Sequence, residues 1–283
     1  MAEKRSGGVP KKRIGTALVL MPPVVLTVLA VPTLGVALLM GGVVLVAAWE
    51  WGGLVGMFRP LYVSITAAML LGVLYFFLQD AESCQTLLLF GLAFWCMALY
   101  VVLSYPKLPL WWKSHPAQVF SGWWVLVSGW GAVVALHAGY VSSDERGPEY
   151  TLFLLAMIWI ADSAAYFSGR RWGKRRLAPR VSPAKTWEGC WGAAVSTILM
   201  ALFGTWYFEL GIGDSGLFVI LCMATLMASV LGDLLESVIK RMHGAKDSGT
   251  LLPGHGGMLD RIDSLTAAAP VFVLGLDWLG KWS

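Results

Sequence analysis

Ser237-Val238-Ile239-Lys240-Arg241, Lys246-Asp247-Ser248-Gly249, Pro253-Gly254-His255-Gly256-Gly257 and Asp260-Arg261-Ile262-Asp263 follow one another within 27 residues. The stretch carries four cations, three carboxylates and five glycines. It lies between two apolar runs, 215–236 and 264–280, each close to the length that crosses a bilayer. Charge held this densely at a membrane edge is costly, and it marks a functional site by default.

The run before this stretch ends in Gly232-Asp233-Leu234-Leu235-Glu236-Ser237. Asp233 and Glu236 are three residues apart and share a helix face, with Lys240 one turn beyond Glu236. Asp260 and Asp263 repeat that spacing if the last helix begins near Leu259. Two carboxylate pairs joined by a glycine-rich loop can fold toward each other. Their hard oxygens favour Mg²⁺, which keeps waters and takes substrate phosphates as remaining ligands. The alternative is a solvated network in which these four carboxylates pair with Lys240, Arg241, Lys246 and Arg261. Gly254, Gly256 and Gly257 around His255 allow backbone N–H groups to approach an anion, and His255 can donate to a phosphate.

Further upstream, residues 169–189 read GRRWGKRRLAPRVSPAKTWEG and hold seven cations. Positive-inside topology and attraction to anionic lipids, about 1 kcal/mol per cation, account for Arg170 to Arg176. They account less well for Ser182 to Glu188. There Pro183 fixes a turn, the hydroxyls of Ser182 and Thr186 can bind phosphate oxygens, and Lys185 adds a point charge. Asp162 sits inside an apolar run. It either faces a water-filled pocket or pairs with Arg170 or Arg171. Gly211-x-Gly213-x-x-Gly216 has the spacing of a dinucleotide loop, but no strand precedes it, and it is set aside.

The 283-residue chain is 57% hydrophobic and 13% charged, with mean hydropathy +0.68. Soluble domains carry about 25% charge. Apolar runs at 14–31, 33–49, 61–78, 85–104, 118–138, 150–168, 189–208, 215–236 and 264–280 predict an all-α polytopic membrane protein of about nine spans. Residues 1–13 form a basic tail, 14–138 a region of about five helices, and 139–283 a region of about four helices with both charged loops. The first run is read as a retained span, not a cleaved leader. With the N-terminus in the cytoplasm, 19 of the 21 Lys and Arg fall on the inner side, leaving Arg146 and Lys281 outside. Trp49, Trp51, Trp111, Trp112, Trp172, Trp187, Trp206, Trp278 and Trp282 are expected to anchor span ends. The four cysteines are expected to be buried free thiols, with no disulfide and no zinc.

Ser237 to Asp263 resembles the signature of the phosphatidate cytidylyltransferase family, S-x-x-K-R, four residues, K-D-x-G, then P-x-H-G-G-x-x-D-R-x-D, and meets every fixed position. The likeness extends through Ala161–Tyr166, Leu177–Pro183, Lys185–Gly189 and Gly232–Ser237, roughly the second half of the chain. In the first half it rests on hydropathy and on Trp49-Glu50-Trp51-Gly52. One departure is Ala164, where the family usually has Gly. The resemblance implies attack of the phosphatidic acid phosphate on the α-phosphorus of CTP, giving CDP-diacylglycerol and pyrophosphate. It implies Mg²⁺, with room for a monovalent cation such as K⁺, and makes 139–283 the catalytic region. The metal ligands would be Asp233 and Asp260, then Glu236 and Asp263. Lys240, Arg241, Lys246 and Arg261 would neutralise phosphates beside Asp247, and His255, Gly256 and Gly257 would hold the triphosphate. Ser182, Lys185, Thr186 and Glu188 would contact CTP or the lipid phosphate, with Asp162 lining the pocket. The expected location is the cytoplasmic (inner) membrane, with the site on its cytoplasmic face. CTP, phosphatidic acid and membrane lipids are the expected partners; nucleic acid is not, and a homodimer is compatible with the family. Three rival readings remain at this point: a CTP-dependent polyprenol or lipid kinase, an ion-coupled transporter, and a purely structural membrane scaffold, which leaves the glycine–histidine loop unexplained.

Overall fold

The structure, a computed structural model, describes residues 22–79, 82–140, 146–249 and 256–282. Residues 22–30 are helical (α1). Then follow α2 (Thr33–Leu54), α3 (Arg59–Gln79), α4 (Glu82–Ser104), the short α5 (Leu110–Lys113), α6 (His115–His137) and α7 (Gly147–Trp172). After a hairpin of β1 (Arg176–Ala178) and β2 (Ser182–Thr186) come α8 (Trp187–Tyr207), α9 (Ile212–Met242) and α10 (Leu259–Trp282). Among the described residues eight helices, α2 to α4 and α6 to α10, are long and apolar enough to cross a membrane. Residues 14–21 of the first expected span lie outside the described residues, as do His255 and Gly254 of the glycine loop.

α6 is the central helix. Most of it is buried, and it packs against α2, α3, α4, α7 and α10. Its start is built for a sharp entry: the Ser114 hydroxyl accepts from Ala117 N, and Pro116 occupies the first turn, where a missing N–H costs nothing. Trp51 Nε1 donates to Gln118 O, and Tyr62 Oη donates to Val119 O, each at 3.0 Å. These bonds fix α2 and α3 against the first turn of α6.

Successive spans alternate in direction. The C-terminal ends of α2, α4, α7 and α9 therefore share one end of the bundle with the N-terminal ends of α3, α6, α8 and α10. α9 and α10 form the most extensive helix pair. Their closeness depends on Gly232: a Cβ there would collide with the Asp263 carbonyl oxygen and come within 3.0 Å of Ala267 Cβ. Gly232→Leu is accordingly expected to destabilise the protein by about 1–3 kcal/mol through overpacking. Its thermal unfolding midpoint in detergent should fall; an unchanged midpoint would contradict this packing.

Three expectations are corrected. The charged 169–189 segment is not all loop, because its second half pairs as an antiparallel hairpin, with Arg176 opposite Thr186 and Ala178 opposite Ser182. Trp51 and Trp112 are fully buried core residues and not interface anchors, whereas Trp49, Trp111, Trp172, Trp187, Trp206 and Trp278 are exposed. Trp49 and Trp51 are about 200° apart around one helix, so only one can face outward. Cys96 is exposed on the outside of the bundle, while Cys84 and Cys222 are buried and Cys190 is half-buried; all four are free thiols.

Candidate active site

α9 carries Asp233, Glu236, Ser237, Lys240 and Arg241 over its last turns, and α10 opens on Asp260 and Asp263. The close crossing at Gly232 turns these two faces toward each other. Glu236 is 3% exposed and Lys240 7%. The Lys240 ammonium bridges the two helices, 3.2 Å from Glu236 Oε2 and 2.5 Å from Asp260 Oδ1.

Asp260 is held on its other oxygen as well. Oδ2 accepts from Ser248 N (3.1 Å), Ser248 Oγ (3.0 Å) and Gly257 N (2.9 Å). Gly256 provides the left-handed turn (φ +80°) that brings Gly257 N into reach. Asp263 lies within electrostatic reach of both Glu236 and Asp233, and its Oδ1 accepts from Ser264 N at 2.6 Å.

A second charged group adjoins the first. Lys185, on β2, places Nζ 2.7 Å from Asp233 Oδ2. Ser237 Oγ donates to Asp233 Oδ1 at 3.3 Å. Asp162 of α7 lies within electrostatic reach of Lys185 and Asp233, while the Arg170 guanidinium donates to Tyr166 Oη at 2.9 Å. Five carboxylates and two lysines thus form one continuous group, from Asp162 and Lys185 through Asp233, Asp263 and Glu236 to Lys240 and Asp260, across α7, the hairpin, α9 and α10.

Other expected site residues have structural duties. The Thr186 hydroxyl accepts from Gly189 N at 3.1 Å and caps α8. Glu188 reaches back to accept from Arg175 N, pinning the hairpin's approach. Arg241 donates from Nε to Val181 O (3.2 Å) and from Nη1 to Ala245 O (3.0 Å), bracing the hairpin tip against the end of α9. Ser182 is half-buried at the hairpin, and Lys246, Asp247 and Arg261 are exposed at the same end. Just beyond α9, His243 Nε2 donates to Gln118 Oε1 at 2.7 Å. Partial burial and nearby His115 hold its imidazole below the usual pKa.

Glu50 is the functional candidate missed by the sequence reading. It lies in α2, is 5% exposed, and accepts from Ser248 Oγ (3.0 Å), Met258 N (3.0 Å) and Leu259 N (2.8 Å). The signal for it was an acidic residue in Trp49-Glu50-Trp51-Gly52, beside an otherwise apolar run.

Among the described residues no three His, Cys, Asp or Glu side chains surround a common point. The donor chemistry nonetheless suits a hard divalent cation. Both Glu236 oxygens are buried and accept no hydrogen bond of normal geometry, beside Asp263 and within one helix turn of Asp233. Buried carboxylate oxygens without donors are what a cation satisfies. In this arrangement the Lys240 ammonium is the cation beside Glu236, and the Lys185 ammonium is the one beside Asp233.

The model of the cytidylyltransferase family matches residues 11–279. A phosphatidate cytidylyltransferase of Haemophilus influenzae is 38% identical over 279 residues, covering 93% of this chain and 96% of its own. One of Pseudomonas aeruginosa is 38% identical over 275 residues, covering 96% and 98%. One of Bacillus subtilis is 43% identical over 138 residues, 47% of this chain.

Proposed function

The chain belongs to the cytidylyltransferase family, and from that premise we propose that it transfers the cytidylyl group of CTP to phosphatidic acid. A phosphate oxygen of the lipid forms a bond to the α-phosphorus of CTP. The bond from that phosphorus to the bridging oxygen breaks, and pyrophosphate leaves with the electron pair. The products are CDP-diacylglycerol and pyrophosphate.

The observation that carries this reading is the cluster of carboxylates where α9 meets α10, with Lys240 bridging the two helices and Lys185 reaching Asp233 from β2, at the ends of two apolar helices. The attacking group is already an anion, so the task is to bring two polyanions together and to stabilise charge on the leaving group. Lys185 and Lys240 are charges of the right sign, each held by a carboxylate. Arg241 keeps the hairpin, and with it Lys185, seated on α9. Asp233, Glu236, Asp260 and Asp263 are the residues that would hold Mg²⁺. When bound, the metal supplies charge neutralisation at the phosphates. A substrate anchored in a leaflet and one in water meet only at a bilayer boundary. The excess of Lys and Arg around this end of the bundle favours the cytoplasmic face of the inner membrane.

The test uses protein purified in detergent, with phosphatidic acid, CTP and Mg²⁺. Pyrophosphate should appear in step with loss of phosphatidic acid, and should stop when EDTA removes the divalent ion. Pyrophosphate release independent of the lipid would contradict the proposal.

A further inference from the structure

Glu50 belongs to the first half of the chain, far in sequence from the charged stretch. Its partners are the first turn of α10 and the Lys246–Gly249 segment. Oε1 accepts from Met258 N, and Oε2 accepts from Leu259 N and from Ser248 Oγ. The carboxylate thus caps α10 from another helix, at the end where backbone N–H groups lack partners and the helix dipole favours negative charge. Any side chain at Gly249 or Gly257 would run into it, so both glycines leave room for Glu50.

Ser248 links this group to Asp260. Its hydroxyl lies 3.0 Å from Glu50 Oε2 and 3.0 Å from Asp260 Oδ2, and it has one proton for two carboxylates. Ser248 N donates to the same Asp260 oxygen. A change at Glu50 therefore alters both the hydroxyl that Asp260 accepts and the helix turn that carries Asp260.

We propose that Glu50 is a positioning residue for the transfer reaction, acting through Ser248 and the first turn of α10 to set the direction of the Asp260 carboxylate. The inference rests on the reading of Asp260 as part of the transfer site. It makes the N-terminal helices contributors to catalysis and not only a scaffold. Ser248 stands at the position that the family pattern K-D-x-G leaves open, and Glu50 lies outside that pattern, in Trp49-Glu50-Trp51-Gly52.

The test compares Glu50→Gln, Ser248→Ala, their combination and Asp260→Asn, measuring kcat and KM for CTP per monodisperse enzyme together with the thermal unfolding midpoint. Glutamine keeps the shape of Glu50 but turns one acceptor into a donor. Glu50→Gln should lose about 10- to 100-fold in kcat, and Ser248→Ala about 10-fold, with little change in KM. The combination should lose no more than the worse single variant, because both act through one link. Wild-type kcat in Glu50→Gln beside an inactive Asp260→Asn would overturn the inference while leaving the proposed function intact. An active Asp260→Asn would remove the premise instead. Losses that multiply, or that follow only a fall in the unfolding midpoint, would reduce Glu50 to a structural brace. Should Glu50→Gln fail to fold, wild-type kcat in Ser248→Ala alone overturns the proposal.

Discussion

Asp260→Asn is expected to lower CTP-dependent turnover by about 10²–10³-fold, the range seen when one preorganised electrostatic contact to a transition state is removed. The reason lies in how the carboxylate is filled. Oδ2 faces two backbone N–H groups and the Ser248 hydroxyl, and Oδ1 faces the Lys240 ammonium. An amide has one oxygen. Turned toward Ser248 N and Gly257 N, it aims an NH₂ at an ammonium; turned the other way, it aims an NH₂ at two N–H donors. Either choice leaves a donor facing a donor and removes the charge that holds Lys240. The contacts at risk are local, so membrane insertion and elution as a monodisperse protein should be unaffected. Steady-state kinetics on the purified variant decide the matter, and turnover near the wild-type value would take Asp260 out of the mechanism.

Lys240→Met should have the largest effect on stability. The ammonium is the shared partner of Glu236 and Asp260 in a nearly water-free crossing. Methionine fills similar space without the charge, leaving two carboxylates close together with no cation. Removing one partner of a buried ion pair costs about 3–5 kcal/mol, chiefly because the remaining charge is uncompensated. The same reasoning gives a sharper expectation. Lys240→Met combined with Glu236→Gln should recover much of that loss, since one orphaned charge is then gone. Denaturation of the two variants in detergent compares them directly. A combined variant less stable than Lys240→Met alone would show that Glu236 is not the charge that Lys240 balances.

The sequence was most informative where charge interrupts apolar helices. The three-residue spacing of Asp233 and Glu236, repeated at Asp260 and Asp263, required two helix faces, and α9 and α10 present them with α10 starting at Leu259. It was less informative where a residue's partner comes from a distant helix. The second apolar run ends at 49, which puts Glu50 in a connection; α2 continues to Leu54 and buries it. Glu50 occupies an apolar setting only because the N-terminus of α10 arrives there. The hairpin was hidden because Pro179 and Pro183 interrupt any strand pattern, and its pairing is short and strongly cationic. The burial of Trp51 and Trp112 depends on which side of α2 and α5 faces α6, and an apolar sequence without strong periodicity does not specify that side.

The most direct measurement of the central claim is which phosphorus of CTP enters the lipid. Purified protein is given phosphatidic acid and Mg²⁺ with CTP labelled at either the α- or the γ-phosphate, and the lipid fraction is extracted and counted. α-Label in the lipid with γ-label released as pyrophosphate is the predicted result. γ-Label in the lipid with α-label left in soluble CDP would mean a kinase reaction, and would contradict cytidylyl transfer at the junction of α9 and α10.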